Sequence, residues 1–179
     1  DLVVQAVPLL SEQFPGLGYK IIGTSDDENF IELLHKLIRE NKLENRVELL
    51  GRVSDDELRV LYNKASIFVL AARDIGGNFE GFPMVVQEAY AYGVPIAASN
   101  IGSLPHLIAE NRTGTLFVPG DAESLLASVQ PLFAGDKQLR ILGVQAKEEF
   151  DSKYTAGKNY DILMSIYASA AAHRGAKLN

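Results

Sequence analysis

The chain has 179 residues, of which 47% are hydrophobic and 22% charged, and this length allows one domain with a sizeable core. Its formal net charge of −6 argues against a general nucleic-acid binder, which needs a basic surface, but permits a single phosphorylated ligand. With no cysteine and three scattered histidines, the sequence excludes a disulfide framework, and we expect no metal site.

The N-terminus begins at Asp1 and carries no basic, apolar leader. No apolar run approaches the roughly 20 residues that span a bilayer. We therefore expect a chain that starts inside a longer polypeptide, and a cytoplasmic location that fits the absence of cysteine.

Segments with helical spacing alternate with short apolar runs along the whole chain. In chain order, the patterns predict a helix at 2–14, a strand at 19–23, a helix with an apolar stripe at 30–38, a strand at 47–51, a helix at 55–64, a strand at 66–70, a helix at 83–92, a strand at 95–98, a short helix at 105–110, a strand at 115–118, and helices at 121–133, 136–150 and 154–172.

Strands that are apolar throughout and alternate with helices are typical of a parallel sheet covered on both faces. We predict one Rossmann-like α/β domain over residues 1–179, without an internal repeat or a linker. In such sheets, ligands bind outside the carboxyl ends of the strands.

The connection after the strand at 66–70 is the most informative of these ends. Residues 71–82 form a longer loop than the usual 2–6 or so residues and include three glycines, which let the backbone approach a ligand. Pro83 fits the first position of the following helix. The free N–H groups of Met84 and Val85 would then form an anion site suited to a diphosphate.

Two glutamates flank this expected anion site. Glu88 lies one turn further along the helix, on the face of Met84, where it could accept hydrogen bonds from a ribose diol. Glu80 lies eight residues upstream and could reach a sugar beyond the phosphates. From the residues alone, a nucleotide-sugar site and a pair of solvated glutamates are equally good interpretations.

The segment 80–98 resembles the E-x7-E region of retaining GT-B glycosyltransferases of family 4. The similarity continues in segments 47–53, 61–66, 100–105 and 111–121, which match that family's other signatures in the right order. Together they cover roughly residues 18–150. The resemblance implies the C-terminal, donor-binding half of a GT-B fold.

The resemblance also implies roles for individual residues. Glu88 would bind the ribose, and Glu80, the candidate catalytic residue, would contact the donor sugar. Gly51 and Arg52 would lie near the nucleobase. The sugar and phosphates would be held at Gly81, Phe82, Pro83, Met84 and Val85.

By the same resemblance, the donor is a UDP- or GDP-sugar, and transfer retains the anomeric configuration without a metal or another cofactor. The family's glycine-rich loop with an Arg and a Lys, its first strand and its acceptor lobe have no counterpart in these residues. We therefore expect no activity from the chain alone. The acceptor, a sugar or a lipid-linked group, would bind the other lobe, and the parent enzyme could associate peripherally with a membrane.

Two other classes of function remain as alternatives. A nucleotide-sugar epimerase of GT-B architecture would need a different set of acid–base residues, and a non-catalytic α/β binding module would not need the paired glutamates. Arg73 fits either a phosphate contact or a surface ion pair. His106 fits an approach to the ligand or a structural role, of which we favour the second. One apolar stripe is most simply core, formed by Tyr154, Tyr160, Ile162, Leu163, Ile166 and Tyr167. The resemblance implies, however, that the last helix packs across the missing lobe, which would leave part of this stripe exposed in these residues.

Overall fold

The computed structural model describes residues 1–74, 82–133 and 135–175. The helices are α1 (Leu2–Gln13), α2 (Glu28–Glu40), α3 (Asp55–Lys64), α4 (Met84–Ala91), α5 (Leu104–Leu107), α6 (Ala122–Phe133), α7 (Asp136–Lys153) and α8 (Ala156–Gly175). The strands are β1 (Tyr19–Ile22), β2 (Val47–Gly51), β3 (Phe68–Leu70), β4 (Ile96–Ser99) and β5 (Gly114–Phe117). Every predicted element is confirmed, with ends shifted by at most about three residues.

Helix starts follow the local sequence closely. Ser54 and Glu57 form a capping box at α3, in which the Glu57 carboxylate accepts from the Ser54 N–H at 2.9 Å. These hydrogen bonds from Ser54 lower the pKa of Glu57. At α2, Asp27 accepts from the N–H of Asn29 at 3.0 Å, so this aspartate caps the helix.

All described strand pairs are parallel, as predicted, but they form two groups instead of one continuous sheet. β1 pairs with β2, and β4 lies between β3 and β5. Helix α1 packs against both groups: Val4 and Val7 belong to the cluster that includes Val47 of β2, whereas Ala6 belongs to the cluster that includes Ala97 of β4. The apolar runs identified the strands. Whether the strands join into one sheet depends on which strands pair, and no local pattern specifies the pairing.

The three-stranded sheet is covered on both faces. Along β4, Ile96 and Ala98 pack on the face of α3, α4 and α7, whereas Ala97 packs on the face of α1 and α6. This alternation follows from the two-residue period of a strand. The strand interior is fully buried, which explains why its sequence is apolar throughout. The α/β fold with helices on both faces is therefore as predicted.

The predicted core role of the last stripe is wrong for α8. Tyr154 is half-buried against the main core, but Tyr160, Ile166 and Tyr167 are 62%, 56% and 57% exposed. Helical spacing of apolar residues shows that a face can be covered, and it does not identify what covers it. None of the described helices is long and apolar enough to span a bilayer.

Candidate functional site

The loop after β3 is described only in part. Residues 75–81, which include the candidate residues Glu80 and Gly81, lie outside the described part of the chain. In the described part of the loop, Arg73 forms an ion pair with the Asp1 carboxylate at 2.5 Å. Of its two expected roles, Arg73 therefore has the ion pair.

The N-terminus of α4 lies directly after this loop. Pro83 is the N-cap of the helix, with φ −70° and ψ 109°, and not its first helical residue as predicted. The difference arises because the extended ψ of Pro83 places it before the helical turns. No side chain caps the helix among the described residues. The N–H groups of Met84 and Val85 therefore occupy the first turn of a helix whose N-cap, Pro83, has no side-chain group that could accept from them.

The side chains around this helix start differ strongly in exposure. Pro83 is buried and Val85 half-buried, whereas Phe82 and Met84 are 52% and 60% exposed. Large apolar side chains at this exposure lose contact with water when a ligand covers them. The uncapped helix start is therefore bordered by apolar surface.

Glu88 lies one turn further, on the face of Met84, as the sequence predicted. Its side chain is exposed, and its Oε2 accepts a hydrogen bond of 3.2 Å from the hydroxyl of Tyr62 on α3. Burial and the negative charge of Glu88 raise the pKa of Tyr62 well above its usual value. The hydroxyl therefore stays protonated and donates to Glu88 throughout the physiological pH range.

The Tyr62 ring is itself held in place. It stacks on Tyr92 with ring centroids 5.1 Å apart and an interplanar angle of 6°. The two tyrosines and Glu88 border a cleft of about 170 Å³ between α3 and α4. The cleft is lined by Asp55, Leu58, Arg59, Tyr62, Glu88 and Tyr92. Its volume suits one part of a nucleotide, because whole ligand pockets usually measure about 300–1,000 Å³.

Gly51 and Arg52 lie at the carboxyl end of β2. Gly51 has a φ of +63°, in the left-handed region that favours glycine, and its carbonyl accepts from the N–H of Gly23 at 2.8 Å. Arg52 is exposed. Helix α3 begins shortly afterwards at Asp55, which borders the cleft at Glu88. The β2–α3 connection thus leads from Gly51 to the edge of this cleft.

Sequence reasoning did not identify Tyr62 or Tyr92 as site residues. Tyr62 and Glu88 are 26 positions apart, so no helical or strand period relates them. Tyr62 does lie within the segment 61–66, which supported the family resemblance, and that segment was the available signal.

A larger depression of about 640 Å³ lies elsewhere, on α2. It is bordered by Asn29, Glu32, Leu33, His35, Lys36 and Arg39. All six belong to one helix, so no second element among the described residues faces them across the depression. The smaller cleft differs in lying between two helices, α3 and α4, and in containing Glu88.

Other candidate groups do not assemble in the described residues. His106 is exposed on α5, where its backbone N–H donates to the backbone carbonyl of Ser103 at 3.0 Å. Over residues 1–74, 82–133 and 135–175, no three His, Asp or Glu side chains lie close enough together to hold a metal ion.

Comparison with protein families gives a match over most of the chain. Residues 1–149 match the family described as glycosyl transferases group 1. The amylovoran biosynthesis glycosyltransferase AmsK of Erwinia amylovora is 29% identical over 166 residues, which are 92% of this chain and 40% of that protein.

A second relative is the GDP-mannose-dependent α-(1-6)-phosphatidylinositol monomannoside mannosyltransferase of Mycolicibacterium smegmatis. It is 25% identical over 149 residues, which are 82% of this chain and 38% of that protein. The chain thus spans about 40% of the length of these curated relatives.

Solved structures share the fold. Sucrose-phosphate synthase from Thermosynechococcus elongatus superposes with a TM-score of 0.79 at 26% identity, over 96% of this chain and 42% of that one. HepE of Anabaena, solved in complex with UDP, superposes with a TM-score of 0.80 at 19% identity, over 93% of this chain and 44% of that one. The C-terminal domain of a glycosyl transferase group 1 family protein from Francisella tularensis superposes with a TM-score of 0.76 at 20% identity. The match covers 87% of this chain and 78% of that one.

Proposed function

The chain belongs to the glycosyl transferases group 1, and from this premise we propose that it binds a nucleotide-diphosphate sugar and supports transfer of the sugar to an acceptor. The observation that carries the proposal is the placement of Glu88. An exposed carboxylate stands one turn from the start of α4, which no side chain of the described residues caps, at the carboxyl end of a parallel sheet. The start of α4 can therefore bind an anion, and Glu88 next to it can bind a diol.

In this proposal, α4 binds two parts of the donor. The N–H groups of Met84 and Val85 hold the diphosphate, which the positive end of the helix dipole attracts. The Glu88 carboxylate accepts hydrogen bonds from the ribose diol. The exposed side chains of Phe82 and Met84 cover the apolar faces of the bound donor.

The remaining assignments extend outward from this helix. Gly51 and Arg52 lie near the nucleobase, a few residues before Asp55, which borders the cleft together with Glu88. Glu80, with Gly81 and Pro83 beside it, contacts the donor sugar. The resemblance of the segment 80–98 to the E-x7-E region supports these two roles.

The chemistry we propose is retaining transfer of a hexosyl group without a metal, as in family 4. The bond between the sugar and the diphosphate breaks, the acceptor hydroxyl oxygen bonds to the sugar on the same face, and the hydroxyl proton passes to the leaving diphosphate. The protein's task is to stabilise the charge that develops on the leaving diphosphate, which fixed N–H groups do without reorganisation. No carboxylate nucleophile is required.

The chain is proposed to be the C-terminal, donor-binding part of a longer enzyme. This is supported by the share of its relatives that it spans, about 40%, and by its similarity to the Francisella tularensis C-terminal domain. The acceptor then binds the other part of the enzyme, and residues 1–179 alone do not catalyse transfer. A loop with an Arg and a Lys, supplied from elsewhere in the enzyme, completes the phosphate site.

We propose a UDP- or GDP-sugar as the donor and a sugar or a lipid-linked sugar as the acceptor. Relatives named for GDP-mannose, amylovoran biosynthesis and phosphatidylinositol monomannoside support both parts of this proposal. The structural neighbour solved with UDP supports the first. A lipid-linked acceptor would bring the cytoplasmic enzyme to the inner membrane face.

The test is a transfer assay on the full-length enzyme with UDP- and GDP-sugars. Once the donor is found, we expect Glu88→Ala to raise the donor KM by about 10–100-fold, the effect of losing a hydrogen bond to a charged group. Glu32→Ala is the matched control, because Glu32 is also exposed on a helix and borders the larger depression on α2. An unchanged donor KM in Glu88→Ala, or a larger effect of Glu32→Ala, would contradict the proposal.

A further inference from the structure

We propose that Tyr62 is a positioning residue for donor binding, whose hydroxyl holds the Glu88 carboxylate in the orientation that receives the ribose. The inference rests on the proposed role of Glu88 and adds a residue to it. Tyr62 is on a different helix from Glu88 and itself lies almost entirely within the core.

The Tyr62 ring cannot easily turn. Its side chain is 7% exposed, and it belongs to the core cluster of Val86 and Tyr90. The ring stacks on Tyr92 and packs tilted against Phe68, with centroids 6.1 Å apart. Since a packed ring fixes the direction of its hydroxyl, the donor to Glu88 has a defined position.

Glu88 needs such a partner because it is exposed. A free glutamate side chain loses much of its rotamer freedom when it is ordered. If the hydrogen bond from Tyr62 orders the carboxylate before the donor arrives, the ligand does not bear this cost. A carboxylate has about four acceptor sites, so occupation of one by Tyr62 leaves others for the ribose diol.

The chemical type of the partner also matters. A lysine or arginine would neutralise Glu88 and compete with the ribose for its oxygens. The tyrosine hydroxyl is neutral, and its raised pKa keeps it a donor at physiological pH. It therefore orients the carboxylate while leaving its negative charge, which strengthens hydrogen bonds from the ribose.

The experiment measures how strongly the full-length enzyme prefers a ribonucleotide to its 2′-deoxy counterpart. Calorimetry is performed with UDP or GDP, whichever base binds, and with dUDP or dGDP. We expect Tyr62→Phe to weaken ribonucleotide binding by about 3–10-fold, the loss of one hydrogen bond's contribution, with a smaller effect on the deoxynucleotide. In the transfer assay, the change falls on the donor KM and not on kcat.

The matched control is Tyr90→Phe. This variant removes a buried hydroxyl from α4 that bonds Thr113 at 2.6 Å and has no contact with Glu88 among the described hydrogen bonds. It reports the general cost of losing a core hydroxyl, and we expect the ribose preference to stay at the wild-type value. A second variant, Tyr92→Leu, keeps the Tyr62 hydroxyl and the Glu88 carboxylate but removes the ring that stacks on Tyr62. We expect it to reduce the ribose preference by less than Tyr62→Phe does.

The outcomes separate the two proposals. If Glu88→Gln abolishes the ribose preference but Tyr62→Phe and Tyr92→Leu preserve it, the positioning role of Tyr62 is wrong and the role of Glu88 stands. If Glu88→Gln leaves the preference intact, both are wrong. If Tyr62→Phe and Tyr90→Phe reduced the ribose preference equally, the inference would also be overturned, because equal reductions would indicate a general effect on stability.

Discussion

The two sides of helix α4 show how one short helix serves both the core and the candidate site. On its buried side, Val86, Ala89 and Tyr90 have no exposed surface. On its open side, Met84 is 60% exposed and Glu88 carries its charge at the surface. The buried side has its polar group satisfied within the protein, since Tyr90 and Thr113 share a hydrogen bond of 2.6 Å. The open side keeps acceptor capacity for a ligand.

A second glutamate makes the contrast sharper. Glu149 of α7 lies behind α4, and its side chain is only 7% exposed. It bonds Arg112 at 2.8 Å and Lys153 at 2.5 Å, so two cations neutralise it. Glu88 has a neutral hydroxyl as its partner instead. We therefore expect Glu149, paired with two cations, to serve stability, and Glu88, held by a neutral group, to stay available for binding.

The largest effect on the buried side is expected at the contact between α4 and α7. A Cβ at Gly143 would meet the carbonyl oxygen of Gly93 at 2.5 Å, a backbone atom that cannot move alone. We expect Gly143→Ala to destabilise the full-length enzyme by about 1–3 kcal/mol, the usual cost of overpacking. The measurement is thermal unfolding.

Gly157→Ala is the control for this substitution. Gly157 also lies in a helix, but nothing is within 4 Å of a Cβ added there. We expect an unchanged or slightly higher unfolding temperature, because alanine favours the helix. Equal unfolding temperatures for the two variants would show that the α4–α7 contact is not tight.

The next effect compares the two glutamates in one unfolding assay. Glu149→Ala leaves two cations without their shared partner, and we expect a loss of about 1–2 kcal/mol, reduced because Arg112 and Lys153 are themselves half-exposed. Glu88→Ala should change stability by less than about 0.5 kcal/mol, as is usual for surface positions. A larger loss of stability in Glu88→Ala than in Glu149→Ala would contradict the distinction between a structural and a binding carboxylate.

The smallest effect concerns pH. Burial raises the pKa of Glu149, but hydrogen bonds from Lys153 and Arg112 outweigh this and lower the pKa below its usual 4.5. Its stabilising contribution is therefore complete above pH 4.5 and is lost as the pH falls through the lowered folded-state pKa. We expect the difference in unfolding temperature between wild type and Glu149→Gln to shrink below pH 4.5. A difference that grew with acidification would contradict the assignment.

Much of the fold was predictable because it depends on local sequence. Apolar runs marked the strands, and helical spacing marked the helices, with ends within about three residues of those observed. The position of Glu88 on the face of Met84 followed from helical spacing alone.

The rest depends on contacts between distant segments. The hydrogen bond between Tyr62 and Glu88 joins two helices that the sequence could not place side by side. The exposure of Tyr160 on α8 and the division of the strands into two groups depend on which surfaces meet in three dimensions. Pro83 lies one position earlier than predicted because a residue's ψ, which proline does not fix, decides where a helix begins.

The most direct test of the role of Glu88 is a crystal structure of the full-length enzyme with its nucleoside diphosphate bound. We predict ribose hydroxyl oxygens at hydrogen-bonding distance, about 2.6–3.2 Å, from the Glu88 carboxylate, and phosphate oxygens facing the N–H groups of Met84 and Val85. A nucleotide bound at the depression on α2, or one whose ribose lies away from Glu88, would contradict the account.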